Sequence, residues 1–376
     1  MIKILFFIES LAGGGAEKVL TDIVKKVNRN MFDITIITVV DVGVYMDEVK
    51  RYCGYQSLLS YPGKNGTLFE KIIYKIKYRF IYNLPTKWVY KYFIKTKFDV
   101  EVGFVEGFAT KFISSSSNKD SKKIAWVHVD PIERQYADSY WTNLTNQINS
   151  YKKYNKVVCV SKSVKESFER KFFTDPKIKV IYNPVDNENI LEKSKVNSRL
   201  IRPNQMLLGT IGRLTDQKGY DRLIRVIKRL KNEEIEVVLW ILGEGIMEKQ
   251  LKEYINNNNL SNNVKLLGFQ ENPYSIIKQC DLFVCSSRAE GFSLAIAESI
   301  TLGLPILSTD CSGPNELLGY GKYGFLVKND EDSLYAGIKI LLNDKKLLQY
   351  YKNRSNERKR HFSIDRTIKE IEEILI

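Results

Sequence analysis

The second half of the chain carries two cations on one short segment that follows a strand-like run. The run LLGTIG ends at residue 212, and Arg213 and Lys218 come directly after it. Ligands of open α/β sheets bind at the carboxyl ends of strands, so a loop in this position would meet a ligand. Arginine offers a planar fork and lysine a point charge, and together they can neutralise a diphosphate. A solvated basic loop is the alternative interpretation of the same residues.

A second segment places two acids eight residues apart, at Glu290 and Glu298. If a helix begins near Phe292, Glu298 lies nearly two turns inside it, and the amides of Ser293 and Leu294 lie at its positive end. These amides would hold a phosphate, and the Glu298 carboxylate could accept hydrogen bonds from a ribose diol. Two surface glutamates are the alternative. The apolar residues around Glu298 argue against it, because a buried acid without a partner is costly.

The elements that must position these residues are short β-rich runs alternating with helical patterns, from Ile2–Ile8 through to Ile306–Ser308. This alternation is typical of a parallel sheet covered on both faces. It occurs as two series, separated by a polar connector near residues 185 to 203. We therefore predict an α/β protein with two Rossmann-like domains, at residues 1–185 and 204–361.

The charge is concentrated in the first series. The 376 residues have a formal net charge of +14. Residues 1–200 hold 33 basic against 21 acidic residues, a net of +12, so residues 201–376 carry only +2. Such an asymmetry indicates an anionic partner for one domain, either nucleic acid or a membrane surface. No nucleic-acid-binding motif is present, which favours the membrane.

Residues 71–97 are the centre of this charge, with eight basic residues, eight aromatic residues and no acids. Lysine and arginine are attracted to anionic lipid, and tyrosine and tryptophan favour the depth of the headgroups. We predict a membrane-docking patch, and Pro85 should break it into two helices. An amphipathic helix pair whose aromatic side chains face the core is the alternative. The residues assigned to the patch are Lys71, Lys75, Lys77, Arg79, Lys87, Trp88, Lys91 and Lys95.

Several kinds of protein are disfavoured by the composition. The five cysteines form no CxxC pair and there are only two histidines, so a zinc site is not expected. The D-x-D match at residues 330–332 precedes a helical pattern and fits helix capping better than metal binding. No apolar run approaches the roughly 18 residues that span a bilayer, and the first ten residues resemble a strand more than a signal peptide. We therefore expect a cytoplasmic protein.

Six motifs together resemble the retaining nucleotide-sugar glycosyltransferases of family four. They are GGGAEKV at 13–19, WVHVD at 126–130, GRLTDQKG at 212–219, LGEG at 242–245, LGF at 267–269 and EGFSLAIAE at 290–298. The resemblance covers essentially the whole chain. It implies the GT-B fold, in which two Rossmann-like domains face across a cleft and a C-terminal helix, here 362–376, crosses back to the first domain. It also implies a metal-independent sugar transfer without a cofactor, in bacterial polysaccharide synthesis of the capsule or lipopolysaccharide kind.

The resemblance also assigns roles to residues of the second domain. Arg213 and Lys218 match the pair that holds the donor diphosphate and stabilises the leaving group. Glu290 matches the acid that contacts the hydroxyls of the transferred sugar, and Glu298 matches the acid on the nucleotide ribose. The remaining donor contacts implied in this domain are Gly243, Phe269, Ser293 and Leu294.

In the first domain the resemblance implies that Gly14 and Gly15 bring backbone close to phosphate and acceptor, and that His128 lies close to the donor sugar. Glu17 has two interpretations, an acceptor contact or an ordinary acid in the first turn of a helix. Domain closure would bring His128 to Arg213 and Glu290.

We therefore expect an enzyme at the inner face of the cell membrane that transfers a sugar from a nucleotide donor, a uridine diphosphate sugar by preference, to a glycan or polyprenyl-linked glycan. One alternative keeps the fold and changes the reaction, as in epimerases built from two Rossmann-like domains. An epimerase should carry several acid and base groups in its cleft, whereas this chain offers His128 and little else. The other alternative is a basic nucleic-acid-binding protein.

Overall fold

The computed structural model describes residues 1–63, 65–198 and 200–376. The chain divides into two compact units. The first contains residues 1–184 and 365–376, and the second contains residues 185–364. Each unit is an α/β structure built on one parallel sheet. No helix of the described residues is long and apolar enough to cross a membrane.

The sheet of the first unit has seven parallel strands in the part of the chain that the structure describes, in the order β3-β2-β1-β4-β5-β6-β7. The strands are β1 Ile2–Ile8, β2 Phe32–Val40, β3 Gly54–Leu59, β4 Val100–Gly103, β5 Lys122–Val127, β6 Lys156–Cys159 and β7 Ile178–Val180. The central strands are continuous apolar runs, as expected for a sheet covered on both faces. In β1 the five residues from 4 to 8 are all buried.

The helices of the first unit connect these strands. They are α1 Gly15–Lys26, α2 Met46–Lys50, α3 Leu68–Asn83, α4 Thr86–Phe93, α5 Phe108–Ile113, α6 Leu144–Lys152 and α7 Lys162–Lys171. Helix α3 begins with a capping box, in which the Thr67 hydroxyl accepts from the amide of Glu70 and the Glu70 carboxylate accepts from the amide of Thr67. Pro85 caps the start of α4, so residues 71–97 form two helices as predicted.

The sheet of the second unit has six parallel strands within the described residues, in the order β10-β9-β8-β11-β12-β13. The strands are β8 Met206–Ile211, β9 Val237–Leu242, β10 Val264–Leu266, β11 Leu282–Cys285, β12 Ile306–Thr309 and β13 Phe325–Val327. The helices are α8 Asn187–Ser194, α9 Tyr220–Asn232, α10 Glu248–Asn257, α11 Tyr274–Ile277, α12 Leu294–Thr301, α13 Ser312–Leu317, α14 Glu331–Asn343 and α15 Lys345–Arg358. Leu223, Ile227 and Leu230 on one face of α9 join the core around β8 and β9.

The last helix, α16 (Ile364–Leu375), belongs to the first unit. Its apolar residues Ile368, Ile371 and Ile374 are buried, and the Glu372 carboxylate accepts a hydrogen bond from the amide of Asn28 at 2.7 Å. The chain thus returns to the unit in which it began.

The connector predicted near residues 185 to 203 contains helix α8, so its first part is not an open linker. Asp186 caps this helix by accepting from the amide of Asn189 at 3.1 Å. The helix packs against α11 and α12 of the second unit, which therefore begins at residue 185 and not at 204. Residue 199 of this connector lies outside the described residues.

Candidate active site

Two loops of the second unit are joined at the point where its strand order reverses. The sheet runs from β8 outward to β10 in one direction and from β11 to β13 in the other, so β8 and β11 are neighbours. The Ser286 hydroxyl donates to the carbonyl of Lys218 at 2.8 Å, and the Arg288 amide donates to the carbonyl of Gln217 at 2.7 Å. In open α/β sheets this reversal is the position at which ligands bind.

Lys218 and Glu290, predicted separately from the two loops, form an ion pair. The Lys218 ammonium donates to Oε1 of Glu290, and the Ser287 hydroxyl donates to the same oxygen at 2.8 Å. The Glu290 side chain is only 8% exposed, whereas that of Lys218 is 20% exposed. The pair therefore consists of a buried acid and a cation that is partly open to solvent. A cation must be partly open in this way to contact a diphosphate.

Arg222 holds the loop after β11 in place, and the sequence reasoning missed it. The side chain is buried, with Nε and Nη2 donating to the carbonyl of Ser286 at 3.0 and 2.6 Å. Nη2 also donates to the carbonyl of Ser287 at 2.8 Å, and to Oδ1 of Asn329 at 2.7 Å. The partners are mainly backbone carbonyls of a distant loop, and no local sequence pattern announces such a contact.

We expect Arg222→Met to destabilise the second unit, because several buried carbonyl groups lose their charged donor. The loss should be about 2 to 4 kcal/mol in the free energy of unfolding. Urea unfolding measures it. Arg229→Met is the matched control, because Arg229 lies two turns further along α9 and pairs at the surface with Asp332. Equal losses for the two variants would contradict the role of Arg222.

Arg213 is the second predicted cation, and it remains available to a ligand. Its side chain is exposed and makes no hydrogen bond or ion pair with the rest of residues 1–63, 65–198 and 200–376. Its backbone is fixed, because the Thr215 amide donates to the Arg213 carbonyl at 2.8 Å. An exposed guanidinium on a fixed loop is suited to bidentate binding of phosphate.

Glu298 lies in α12, which begins at Leu294, two residues later than a start near Phe292. The acid is therefore little more than one turn from the helix start, not nearly two. It is buried, and Oε1 accepts from the Tyr274 hydroxyl at 3.1 Å. Ser293 is the N-cap, with its hydroxyl accepting from the amide of Ile296. The Glu298 carboxylate thus already has a protein partner, and the ribose contact stays a proposal.

Gly243 and Phe269 lie at the ends of β9 and β10. The Gly243 amide donates to the carbonyl of Gly268 at 2.8 Å, and a side chain at 243, where φ is +135°, would place Cβ 2.1 Å from the carbonyl oxygen of Gly212. Close packing of strand ends therefore explains this glycine without a ligand. Phe269 is 42% exposed and offers an apolar ring at the same edge. Its contact with a nucleotide stays a proposal.

His128 follows β5 in the first unit and is held by Glu106, which the sequence reasoning also missed. The His128 amide donates to Oε2 of Glu106 at 3.0 Å, and the Tyr136 hydroxyl donates to Oε1 at 3.1 Å. Burial lowers the pKa of the imidazole to about 3, although a hydrogen bond to the backbone of Phe104 acts in the opposite direction. The ring is therefore neutral near pH 7. It can exchange hydrogen bonds with a sugar but carries no charge for a phosphate.

The glycine loop of the first unit leads directly into α1. Gly14 is the N-cap and Gly15 the first helical residue. Glu17 folds back over this start, with Oε2 only 2.3 Å from the position that a Cβ on Gly14 would take. This position matches the first-turn interpretation of Glu17 more closely than the acceptor interpretation, and the roles of both glycines stay proposals.

A charge cluster beside the loops after β8 and β11 makes stability depend on pH. Burial alone would raise the pKa of Asp221, but hydrogen bonds and charges from Arg288 and Arg225 lower it from 3.8 to about 2. A lowered carboxyl pKa stabilises the folded state above the unfolded value, and this stability is lost as the pH falls from 3.8 toward 2. Asp221→Asn should therefore flatten the fall in unfolding free energy within that window.

Urea unfolding at a series of pH values measures this effect. Glu271→Gln, which replaces an exposed acid of the same unit, is the control. The attribution to Asp221 would be wrong if the wild type and Asp221→Asn lost stability equally in that window.

The residues described here include no group of three or more His, Cys, Asp or Glu side chains that could hold a metal ion. In the D-x-D segment, Asp330 caps α14 by accepting from the amide of Ser333 at 2.7 Å, and Asp332 pairs with Arg229. Asp330 therefore caps the helix, as the capping interpretation expects, and Asp332 has a separate partner in Arg229.

Two parallel-sheet units, with a cation-bearing loop at the strand reversal of the second, match the architecture of the GT-B class. Family comparison over nearly the whole chain shows that it is a glycosyltransferase. Residues 13–189 match the model for Glycosyltransferase Family 4, and residues 192–358 match the model for glycosyl transferases group 1. The chain belongs to the family-four glycosyltransferases, and it is a hexosyltransferase by class.

Individual relatives agree. The chain is 31% identical over 309 residues to an uncharacterized glycosyltransferase of Methanocaldococcus jannaschii. The aligned residues cover 72% of this chain and 76% of the relative. It is 29% identical over 371 residues, 96% of each chain, to the N-acetylgalactosamine-N,N'-diacetylbacillosaminyl-diphospho-undecaprenol 4-alpha-N-acetylgalactosaminyltransferase of Campylobacter jejuni. The crystal structure of Anabaena HepE in complex with UDP and glucose shares the fold, with a TM-score of 0.77, 21% identity and coverage of 100% and 99%.

Proposed function

We propose that the protein transfers a sugar from a uridine diphosphate sugar to a glycan carried on a polyprenyl diphosphate, with retention of the anomeric configuration. The observation that carries the proposal is the Lys218–Glu290 pair beside the exposed Arg213 at the strand reversal of the second unit. The named substrate of the Campylobacter relative, a diphospho-undecaprenol-linked saccharide, supports the acceptor. The UDP in the HepE complex supports the donor.

The chemistry requires negative charge to be stabilised where it develops. The bond between the anomeric carbon and the β-phosphate oxygen breaks, and the electron pair leaves with the nucleoside diphosphate. A bond forms between the anomeric carbon and an acceptor hydroxyl oxygen, whose proton passes to an oxygen of the departing diphosphate. Arg213 and Lys218 supply two positive charges to the leaving diphosphate, which lowers the barrier in the way that an oxyanion hole does. No metal or other cofactor is part of the proposal.

Glu290 has two tasks in this proposal. It accepts hydrogen bonds from hydroxyls of the transferred sugar, and it holds Lys218 in place before the donor arrives. When a diphosphate binds, Lys218 can share its three N–H donors between the phosphate and Glu290. Three further contacts complete the proposed set. The backbone amides of Ser293 and Leu294 bind a phosphate of the nucleotide sugar, and Glu298 binds its ribose. The neutral His128 contacts the sugar that is transferred.

The membrane is the proposed location, and the surface of α3 supports it. Its outward face carries five large apolar side chains that are between 46% and 76% exposed, namely Leu68, Phe69, Ile72, Ile76 and Phe80. On a helical projection Lys75 and Arg79 flank this face on one side and Lys77 on the other. An exposed apolar stripe between basic residues is typical of a helix that lies in a membrane interface.

The second helix of the patch continues this surface. Trp88 is 66% exposed, and Lys87, Lys91 and Lys95 are exposed around it, whereas Val89 and Tyr90 are buried. The alternative in which the aromatic side chains of this segment face the core thus holds for Tyr90 but not for Trp88. We propose that this patch binds the cytoplasmic face of the cell membrane, and that nucleic acid is not a partner.

Charge reversal tests the patch. We expect Lys75→Glu combined with Arg79→Glu to weaken binding to phosphatidylglycerol vesicles at least about tenfold, because each basic residue contributes about 1 kcal/mol at an anionic surface. Vesicle sedimentation measures it. Lys345→Glu with Lys346→Glu makes the same charge change on exposed residues of the second unit and is the control. Equal binding by the two double variants, or preferential binding to oligonucleotides, would contradict the membrane proposal.

A donor and acceptor screen tests the reaction itself. The full chain is incubated with a panel of nucleotide sugars and with polyprenyl-diphosphate-linked N-acetylhexosamines in anionic vesicles, with and without a metal chelator. We expect transfer from one uridine diphosphate sugar that persists in the chelator, and NMR of the product should show the donor's anomeric configuration. Neither transfer nor donor hydrolysis anywhere in the panel would contradict the proposal.

A further inference from the structure

We propose that Glu9, held by the hydroxyl groups of Tyr82 and Tyr140, binds a hydroxyl group of the acceptor sugar in the first unit. The inference rests on the proposed transferase function, and it assigns a residue that none of the family motifs contains. Glu9 follows β1 directly, ahead of the glycine loop. Its side chain is half-buried.

The position of Glu9 is the first argument. In the first unit the strand order reverses between β1 and β4, which are neighbours in the sheet. Glu9 follows the end of β1, and Gly107 and Phe108 follow the end of β4. The corresponding reversal in the second unit, between β8 and β11, carries Lys218 and Glu290. Since open α/β sheets bind ligands at this reversal, Glu9 lies where the first unit should bind its own ligand.

The hydrogen bonds of Glu9 are the second argument. The Tyr82 hydroxyl donates to Oε2 at 2.9 Å. Tyr140 and the backbone of Phe108 are further polar neighbours, and both lower the pKa of the carboxyl. Burial raises the pKa of Glu9, and these bonds partly offset that rise. The acid is thus held by a donor from α3 and has polar neighbours in the segment before α6 and at the start of α5. Neighbours from three separate chain segments thus fix the Glu9 side chain, and a side chain that binds a ligand needs such a fixed position.

The surroundings of Glu9 indicate the kind of ligand. The Tyr82 ring lies 4.4 Å from the ring of Phe108 and 6.3 Å from that of Tyr140. Gly107, with φ of +88°, allows this approach, because a Cβ there would lie 2.9 Å from the Tyr140 ring. Aromatic faces pack against the C–H face of a sugar, and a carboxylate accepts from its hydroxyls.

The charges near Glu9 favour a neutral ligand over a phosphate. Glu17 is close enough to raise the pKa of Glu9 by its charge, so two acids lie near each other at this edge. A phosphate or diphosphate would be repelled there, whereas a neutral polyhydroxylated ligand would not. We therefore assign the Glu9 site to a neutral sugar of the acceptor.

The test separates acceptor binding from donor binding. Transfer kinetics are measured for the full chain with the polyprenyl-diphosphate-linked N-acetylhexosamine that is active in the screen above. Glu9→Gln should raise KM for this acceptor about tenfold or more, since a charged hydrogen bond is lost, and Tyr82→Phe should raise it less. The affinity for UDP should stay within twofold in both variants. Tyr74→Phe, two turns earlier on α3 with its ring beside Tyr78, is the matched control.

Each outcome decides the question. An acceptor KM within twofold of the wild type in both Glu9→Gln and Tyr82→Phe would overturn the assignment, and so would an equal loss of UDP affinity. If the wild type transfers no sugar, the proposed function fails. Saturation-transfer NMR with methyl glycosides of N-acetylglucosamine and N-acetylgalactosamine then decides on Glu9 alone. Binding that Glu9→Gln abolishes supports a sugar site, and absence of binding to the wild type overturns it.

Discussion

Replacing Arg213 by alanine should lower kcat about a hundred- to a thousandfold while leaving thermal stability unchanged. The expected loss is that of removing one preorganised donor from a developing anion. Stability should not change, because the guanidinium is exposed and makes no hydrogen bond or ion pair within the part of the chain that the structure describes. Steady-state kinetics with the active nucleotide sugar, together with a thermal melt, measures both quantities.

The control for this prediction is Arg360→Ala, which removes another exposed arginine from the same unit. It should leave both kcat and the melting temperature unchanged. If Arg213→Ala retained more than half of the wild-type kcat, Arg213 could not be stabilising the leaving group. If it lost activity and melted at a much lower temperature, the loss would have a structural cause.

The second large effect is expected at the Lys218–Glu290 pair. Lys218→Ala removes a charge from the diphosphate and leaves a buried acid without its cation, so kcat should fall about a thousandfold. Glu290→Ala should cause a loss of similar size, because it removes a sugar contact and releases Lys218. Since the two side chains act as one unit, the double variant should be little worse than either single variant.

A double-mutant cycle on kcat measures this coupling. The exposed pair Lys252 and Glu248 in α10 provides a parallel cycle in which each variant should keep wild-type activity. Independent losses at 218 and 290 that multiply in the double variant would contradict the paired arrangement, even if each residue were essential.

The sequence was sufficient for the fold because the sheet signals are local. Continuous apolar runs such as Val237–Leu242 are strands in the structure, with the ends that the pattern indicated. Helix α8 was missed, since its sequence Asn187–Ser194 is mostly polar and its stability comes from packing against α11 and α12. Propensity is a weak guide when tertiary contacts decide.

Some residues of the candidate site could likewise be predicted from the sequence, and others could not. Arg213, Lys218, Glu290 and Glu298 could be named in advance, because each lies in a motif beside a strand end or helix start. Arg222, Glu106 and Glu9 could not be named, because their partners are far away in the sequence. Arg222 contacts the carbonyl of Ser286, and Glu9 contacts the Tyr82 hydroxyl. Only folding brings such partners together, and an isolated acid or arginine has no distinctive pattern.

Calorimetric titration tests the central claim most directly. UDP and uridine are each titrated into the wild type and into the double variant Arg213→Ala/Lys218→Ala. If the two cations hold the donor diphosphate, the wild type should bind UDP much more tightly than uridine. In the double variant this preference should nearly disappear, while the affinity for uridine is kept. An undiminished preference for UDP in the double variant would contradict the account, because the diphosphate would then be held by other residues.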